Sequence, residues 1–218
     1  AWKADANTLD IHDASGHHSS SDGALIQEGL VHFTEDMKVV PLLAESWETK
    51  DAQTWIFRLR KGVKFHDGTD FNAEAVKWNL DQCKSAKTAG AKKFGTIDVI
   101  DDYTVRINLA EWDNTVTSNL AQVLGMIISP TAYKKNGEEW CAKNPVGTGP
   151  FQFVSWEKDV RTVYKKFDGY WQKGKPYLDR IEYIPIGDVL TRQFSFIRGE
   201  LELVLSVANK DVAGLEKD

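Results

Sequence analysis

Residues 54–83 constrain the fold most, because a strand pattern, a turn and a helix pattern follow one another directly. The strand alternates, and one of its sides carries Trp55, Phe57 and Leu59. Asp67-Gly68 marks a turn, since Gly tolerates a positive φ. Asn72 is the predicted N-cap of a helix over residues 73–83. This mixture of strand and helix predicts an α/β or α+β fold.

Similar patterns occur on both sides of this segment. Residues 19–22 offer N-caps for a helix that carries Leu25, Ile26, Leu30 and Val31. Further along, the sequence predicts a strand at 103–109, a helix that starts at Ser129-Pro130, and a hairpin over 151–165. The mixed class therefore applies to the whole chain.

The C-terminal patterns predict a helix followed by a buried strand. Asp188 begins the helix and Gly199 ends it, with an inward face made of Leu190, Phe194 and Ile197. Residues 201–207 are nearly continuously apolar, as expected of a strand that is buried on both faces. Another helix pattern begins at 211–213, so we expect the chain to be a truncated piece.

The charge of the chain argues against a nucleic-acid partner. Its 27 Lys and Arg are interleaved with 32 Asp and Glu, which gives a net charge of −5. Nucleic-acid binding requires clustered Lys and Arg instead. No apolar run approaches the length of a membrane span, and no signal peptide is recognisable. The chain starts at Ala1 without an initiator Met, so we expect a mature or trimmed form.

The two cysteines, Cys83 and Cys141, lie beside polar and charged residues, which is unlike the setting of a core thiol. In an oxidising compartment they can form one disulfide or stay separate surface thiols, and the sequence leaves both open. Because neither belongs to a CxxC pair, a zinc site is not predicted. We predict no cofactor.

Motifs of catalysis are weak throughout the sequence. The five histidines form no HExxH, and the adjacent pair His17-His18 supplies only two metal ligands. No GxSxG is present, and Gly147-Thr148-Gly149 lacks the Lys of a phosphate loop. A metal-dependent hydrolase would need a third ligand near His17-His18, and the sequence suggests none. We therefore predict a protein that is not an enzyme.

A series of motifs in a fixed order resembles one known family. The motifs are LDIH at 9–12, EGLV at 28–31, PLLAESW at 41–47, WIFRLRKGVKFHDGT at 55–69, FNAEAV at 71–76, PVGTGPF at 145–151, DGYW at 168–171 and RGELE at 198–202. Together they resemble the family 5 solute-binding proteins, the oligopeptide, dipeptide and nickel binders of ABC importers. The resemblance covers essentially the whole chain, although Ile11 replaces the usual proline of the family.

The resemblance implies a two-lobed protein that encloses its ligand by a hinge motion. This chain resembles only the first portion. The implied fold is α/β and class II periplasmic-binding-protein-like, with a first lobe, an inserted α+β subdomain and the second lobe missing. We expect residues 1–27 plus 146–218 to form the discontinuous, incomplete first-lobe domain. Residues 28–145 are the expected inserted subdomain.

The resemblance also suggests which residues face a ligand. The loop after residues 9–12 resembles the segment that lines the first-lobe side of the cleft, and its candidates are Ala14, Ser15, Gly16, His17 and His18. The alternative for this loop is exposure to solvent before a helix. By contrast, His66 in the HDG turn is expected to be satisfied by local contacts.

Three further candidates are Phe94, Met126 and Ser206. Phe94 and Met126 resemble cleft walls, and core packing is the competing explanation for both. Ser206, with Asn209, ends the predicted buried strand near the expected hinge, and ligands favour the carboxyl ends of strands in α/β sheets.

The resemblance implies that the protein binds a small solute, most simply a peptide, and hands it to ABC transporter permease subunits without catalysis. The alternative in the same class is a chelated metal, such as nickel, or another non-peptide solute, with His17 or His18 as ligands. The implied location is extracytoplasmic, either periplasmic or at the cell surface, and the implied state is a monomer.

Overall fold

A computed structural model describes residues 8–11, 23, 25–51, 53–88, 90–205, 207–208 and 212. In these residues there are eleven strands and five α-helices. In chain order they are β1 Glu28–Gly29, β2 Val31–Phe33, β3 Val39–Pro41, β4 Ala44–Thr49, β5 Thr54–Leu59, α1 Ala73–Ser85, β6 Phe94–Asp101, β7 Thr104–Leu109, α2 Val116–Leu120, β8 Met126–Ile127, α3 Pro130–Asn136, α4 Glu138–Cys141, β9 Phe151–Glu157, β10 Arg161–Lys166, β11 Arg180–Tyr183 and α5 Val189–Ile197. The predicted mixed class is confirmed.

The larger core lies between a four-stranded antiparallel sheet, ordered β4-β5-β7-β6, and helix α1. The alternation predicted for β5 is confirmed, because Trp55, Phe57 and Leu59 are all buried. The predicted cap of α1 is confirmed too, since Asn72 Oδ1 accepts a hydrogen bond of 3.0 Å from the N–H of Ala75. The sheet and α1 therefore form two layers that pack against each other.

The smaller core lies on a three-stranded antiparallel sheet, ordered β11-β10-β9. Its buried members are Ile26, Phe151 and Tyr164. The hairpin predicted around residues 157–159 is confirmed as the β9–β10 turn. Gly149 brings the two parts of this core together, because its N–H donates to the Ile26 carbonyl at 2.8 Å. A Cβ on Gly149 would lie 2.6 Å from the Leu25 carbonyl oxygen, so only Gly permits this approach.

The helix predicted to carry residues 25–31 is wrong beyond Ile26. Residues 23, 25 and 26 are helical, and the chain then enters β1 and β2. Leu30 and Val31 are buried by strand contacts instead, since the N–H of Leu30 donates to the Gly125 carbonyl at 3.1 Å. Pairing with distant residues therefore overrides the local helix pattern.

The inward orientation predicted for α5 is also wrong. Asp188 caps this helix and Gly199 follows it with a φ of +72°, as predicted. The buried side chains, however, are Arg192 and Ser195, while four apolar side chains are exposed: Val189, Leu190, Phe194 and Ile197. The physical reason is that Arg192 Nη1 donates to the Ile186 carbonyl, which holds the polar side of the helix against the molecule.

The strand predicted at 201–207 is not formed by residues 201–205, which are irregular. Leu201 is buried, but Leu203 is 62% exposed. A strand that is apolar on both faces needs neighbours on both faces. The described residues 201–205 belong to none of the four sheets.

The cysteines are buried and free, which corrects their predicted surface position. Cys83 lies on the same face of α1 as Val76 and Leu80, so its polar neighbours in sequence point elsewhere. Cys141 is buried at the end of α4. Of the two arrangements that the sequence leaves open, the structure has unpaired thiols. Among the described residues there is also no helix long and apolar enough to span a membrane.

Candidate functional site

The predicted cleft loop, with Ala14, Ser15, Gly16, His17 and His18, lies outside the described residues, as does Ser206. The structure does describe both ends of this loop. Before it, Leu9 and Ile11 are buried, and the N–H of Leu9 donates to the Ala142 carbonyl at 2.9 Å. After it, Ile26 is 1% exposed in the smaller core. The described residues on both sides of the loop are therefore packed against the rest of the molecule.

Met126 lies next to the point where the chain returns from this loop. It begins β8 and pairs with Gly29 of β1, and its side chain is half-buried. The Met126 Sδ is 3.8 Å from the position that a Cβ on Gly23 would occupy. The structure thus places one predicted contact beside the end of the predicted loop. Its contact with a ligand stays a prediction.

Phe94 is placed differently, in the larger core. It begins β6 opposite Leu109 and is 5% exposed. This burial agrees with the competing explanation of core packing and leaves little area for a ligand to touch. Its role as a ligand contact is likewise an untested prediction.

Gln27 is a polar residue at this position that the sequence analysis missed. It is 2% exposed, and its Oε1 is buried without a hydrogen-bond partner. That oxygen lies 3.2 Å from the position of a Cβ on Gly23, beside Met126. Gln27 also lines a small cavity of about 10 Å³ with Asp10 and Ser129, which is close to the size of one water molecule. The available signal was the polar pair Gln27-Glu28 between apolar residues at 25–26 and 30–31.

The side chain of Glu28 connects three motifs that are far apart in sequence. Its Oε2 accepts hydrogen bonds from Thr148 Oγ1 at 3.0 Å and from Trp171 Nε1 at 2.9 Å. Its Oε1 accepts one from the hydroxyl of Tyr170 at 2.7 Å. Glu28 is 5% exposed, so these donors replace the water that the carboxylate loses on folding. We call this group the Glu28 cluster.

The electrostatics of the Glu28 cluster are a balance between burial and hydrogen bonding. Burial raises the pKa of the Glu28 carboxyl above its ordinary value. The hydrogen bonds from Trp171, Tyr170 and Thr148, together with the positive charge of Arg60, oppose this rise. The guanidinium carbon of Arg60 lies 4.4 Å from the centre of the Trp171 ring, which adds a cation–π contact behind the carboxylate.

The contacts of His66 are not the local ones that the sequence analysis expected, because its ring reaches residues 81 and 83 positions further along the chain. Its Nε2 is 2.8 Å from the Gly149 carbonyl oxygen, and the N–H of Gly147 donates to its Nδ1 at 3.4 Å. These contacts fix the neutral tautomer with the proton on Nε2. Burial lowers the pKa of His66 to about 4, and Phe167 packs edge-on against the ring at 4.8 Å. Since both nitrogens are engaged, His66 stabilises the 147–149 turn.

The polar side chains of the Glu28 cluster bond to one another, and His66 bonds to backbone groups. Such contacts are typical of a structural scaffold. Within the described ranges no group of three or more His, Cys, Asp or Glu could hold a metal ion. The thiols of Cys83 and Cys141 are buried, which raises the pKa of each to about 11 and keeps them protonated. Of this scaffold, Met126 at the start of β8 lies close to Gly23, and β8 pairs with β1, which carries Glu28.

Residues 38–218 match the bacterial extracellular solute-binding proteins, family 5 Middle. Among curated proteins, the chain is 36% identical over 217 residues to the glutathione-binding protein GsiB of Pectobacterium atrosepticum. That match covers 97% of this chain and 42% of GsiB. GsiB of Escherichia coli O157:H7 is similar at the same identity and coverage. The chain therefore spans less than half the length of the curated relatives it matches.

Solved structures give the same result for the fold. The binding protein AgaA of A. tumefaciens R10, in complex with agropinic acid, has a TM-score of 0.90 at 32% identity and matches over all of this chain and 45% of its own. DppA of Helicobacter pylori, in complex with the peptide STSA, has a TM-score of 0.84 at 29% identity, over 98% of this chain and 47% of its own. A nickel ABC transporter protein of Bacillus halodurans has a TM-score of 0.86 at 28% identity, over 100% of this chain and 44% of its own. These matches confirm the predicted periplasmic-binding-protein-like fold and the partial coverage.

Proposed function

Because the chain belongs to the bacterial extracellular solute-binding proteins of family 5, we propose that the full-length protein binds a small solute and delivers it to an ABC importer. The observation that carries this is the continuous family match over residues 38–218. The extracellular character of the family agrees with the extracytoplasmic location expected from the motifs. The transporter partner would be its permease subunits, and the protein would act as a monomer.

The solute that this proposal favours is a short peptide or a peptide-like molecule such as glutathione. The curated relatives at 36% identity are named as glutathione-binding proteins, and the DppA structure holds a four-residue peptide. A peptide offers N–H and C=O groups along its length. Ser15, His17 and His18 of the predicted cleft loop can donate or accept hydrogen bonds, which suits such a backbone.

Binding would occur by enclosure between two lobes, of which the described residues supply one wall. The two separate cores support the expected division into residues 1–27 plus 146–218 and residues 28–145. The larger core is drawn from residues 30–127, and the smaller contains Ile26, Phe151 and Tyr164. The Glu28 cluster lies where the two parts meet, so it would keep the loop ends and Met126 in a fixed relation.

A chelated metal is the second candidate solute. The nickel transporter protein of Bacillus halodurans and NikA of Brucella suis, the latter in complex with Fe(III)-EDTA at 30% identity, favour it. The ligands from this chain would be His17 or His18 in the cleft loop. Catalysis is not part of the proposal, because the curated relatives are binding proteins by name.

Native mass spectrometry of the full-length protein, purified without denaturation, tests the function and separates the solutes. A bound species with the mass of glutathione or a short peptide, on a monomer, is the expected result. A metal complex in its place would establish the second candidate. If no species is bound, calorimetric titration with glutathione, a tripeptide mixture and a Ni–histidine complex follows. Absence of binding in all three would contradict the proposal, and conversion of the added solute to a product would show an enzyme.

A further inference from the structure

Gln27 carries a hydrogen-bonding group that the fold leaves unpaired. Its side chain is 2% exposed, and its Oε1 is buried without a hydrogen-bond partner. Such a group costs free energy, because the oxygen has lost its hydration and has gained no bond in exchange. Buried polar groups in folded proteins are therefore nearly always paired, either with protein atoms or with ordered water. Gln27 Oε1 needs a donor, and none of the described residues supplies one.

The cavity beside Gln27 has the size and the polarity that suit one water molecule. Its volume is about 10 Å³, which is enough for a single water and too little for an organic ligand. Four of its lining residues carry polar side-chain atoms, and each of them is at most 6% exposed: Asp10, Gln27, Ser129 and Cys141. Cavities that stay dry are lined by apolar groups, whereas a buried water bonds to several polar ones. The lining of this cavity is therefore that of a water site.

The lining supplies both acceptors and a donor for such a water. Gln27 Oε1 and the Asp10 carboxylate accept hydrogen bonds, and a carboxylate has room for several at once, so a water adds to the other contacts of Asp10. The thiol of Cys141 stays protonated and donates a weak hydrogen bond. The hydroxyl of Ser129 is already engaged, since it donates to Asp67 Oδ2 at 2.5 Å. One water can thus donate to Gln27 and Asp10 and accept from Cys141.

Asp10 and Gln27 stand on opposite sides of the predicted cleft loop in the sequence. Asp10 precedes residues 14–18, and its N–H donates to Thr8 Oγ1 at 3.1 Å. Gln27 follows them, and its N–H donates to the Gly23 carbonyl at 2.7 Å. Both side chains line the same cavity, although 17 positions separate them in the sequence. A group that bonds to both therefore sets the spacing between the segments that enter and leave the loop.

We propose that one water molecule is bound in this cavity, and that Gln27, acting through it, is a positioning residue for the cleft loop. The water donates to Gln27 Oε1 and to the Asp10 carboxylate and accepts from the Cys141 thiol. A bridging water is nearly as favourable as a direct hydrogen bond, so it holds the two segments at a fixed spacing. The water site stands on the described contacts. The positioning role rests on the proposed function, because it takes the loop to contact the solute.

Crystal structures of the full-length protein and of its Gln27→Leu variant, at a resolution that shows ordered water, test the water site. Leu is similar in size to Gln and can neither donate nor accept. We expect a water about 2.7–3.2 Å from both Gln27 and Asp10 in the parent protein, and none in the variant. An empty cavity in the parent, or a protein donor bonded to Gln27 Oε1, would overturn the proposal.

Calorimetric titration with glutathione and urea denaturation of the same full-length proteins test the positioning role. We expect Gln27→Leu to bind glutathione about fivefold more weakly, because the loss of one hydrogen-bonded link is worth about that factor. The urea midpoint should stay close to that of the parent, since an apolar side chain replaces an unpaired polar one. Gln82→Leu is the matched control, because Gln82 is a half-buried residue of α1 that does not line the cavity, and its affinity should equal that of the parent.

Each remaining outcome decides one part of the proposal. Parent-like affinity in Gln27→Leu, with the water present in the parent crystals, would show a water of purely structural role and overturn the positioning role alone. If another solute co-purifies with the protein, that solute replaces glutathione in the titrations. A parent protein that binds no solute would overturn the proposed function and the positioning role together, while the crystals still decide the water site. If Gln27→Leu does not fold, Gln27→Met, with an unbranched side chain of the same length, takes its place with the same expected results.

Discussion

The carboxylate of Glu28 accepts a hydrogen bond of 2.9 Å from the indole N–H of Trp171, which lies 143 residues further along the chain. With Tyr170 and Thr148, this contact connects the first strand of the described chain to two later motifs. The connection fixes β1, and through β8 it fixes Met126 beside the end of the predicted cleft loop.

Two substitutions at Glu28 should have very different effects on stability. Glu28→Ala leaves the indole N–H and two hydroxyls without their acceptor, and we expect a loss of about 3 kcal/mol in the free energy of unfolding. Glu28→Gln should cost less than about 1 kcal/mol. Its carbonyl can accept from Trp171 and Thr148, while its amide donates to the hydroxyl oxygen of Tyr170 once that proton rotates away.

Urea denaturation of the full-length protein measures both variants. If Glu28→Gln proves as damaging as Glu28→Ala, the negative charge facing Arg60 matters more than the hydrogen bonds, and this account of the cluster is wrong.

His66 should make the protein less stable as the pH falls below neutrality. Its pKa is lowered from 6.5 to about 4 by burial, so the unfolded chain takes up the proton before the folded one does. The stability from neutral His66 is complete above about pH 6.5 and is lost as the pH falls towards about 4. Between pH 7 and pH 4.5 the loss should be on the order of 2 kcal/mol.

His66→Asn and His66→Gln test this, because neither side chain titrates in that range. Either variant is less stable than the parent at pH 7, and its stability should fall less steeply between pH 7 and pH 4.5. Parallel slopes for parent and variants would show that His66 is not the titrating group.

The cleft loop should contribute to binding without contributing to folding. Replacing His17 and His18 together by Ala removes two rings that can donate, accept or stack. Each lost polar contact weakens binding by roughly 1 kcal/mol or more, so we expect an affinity at least about tenfold lower at an unchanged unfolding midpoint. Ser19→Ala, at the end of the same segment, is the control. Unchanged affinity in the double variant would remove this loop from the site.

Sequence patterns predicted the secondary structure best where the residues that determine an element are close together in the sequence. The alternation at Trp55, Phe57 and Leu59 and the cap at Asn72 are decided by residues next to one another, so the sequence indicates them directly. Leu30 was misassigned because its partner, the Gly125 carbonyl, is 95 residues away. The Glu28 contacts have sequence separations of 120 to 143 residues, beyond the reach of any local pattern.

The orientation of α5 shows a different limit of prediction from sequence. The spacing of Leu190, Phe194 and Ile197 indicates an apolar face correctly, but a spacing does not say which neighbour covers that face. The polarity around Cys83 was misleading for a related reason, because sequence neighbours on a helix point in different directions. For the candidate site, the motifs indicated the family, whereas the buried Gln27 acceptor required the structure.

The central claim is that a solute is enclosed between two lobes, of which this chain provides one wall. Calorimetric titration of glutathione, or of whichever solute co-purifies, into the full-length protein and into the 218-residue chain tests it most directly. The enclosed solute is contacted from both sides, and each missing contact costs roughly 1 kcal/mol or more, so the shorter chain should bind at least about a hundredfold more weakly. Equal affinities for the two would contradict the two-lobe account.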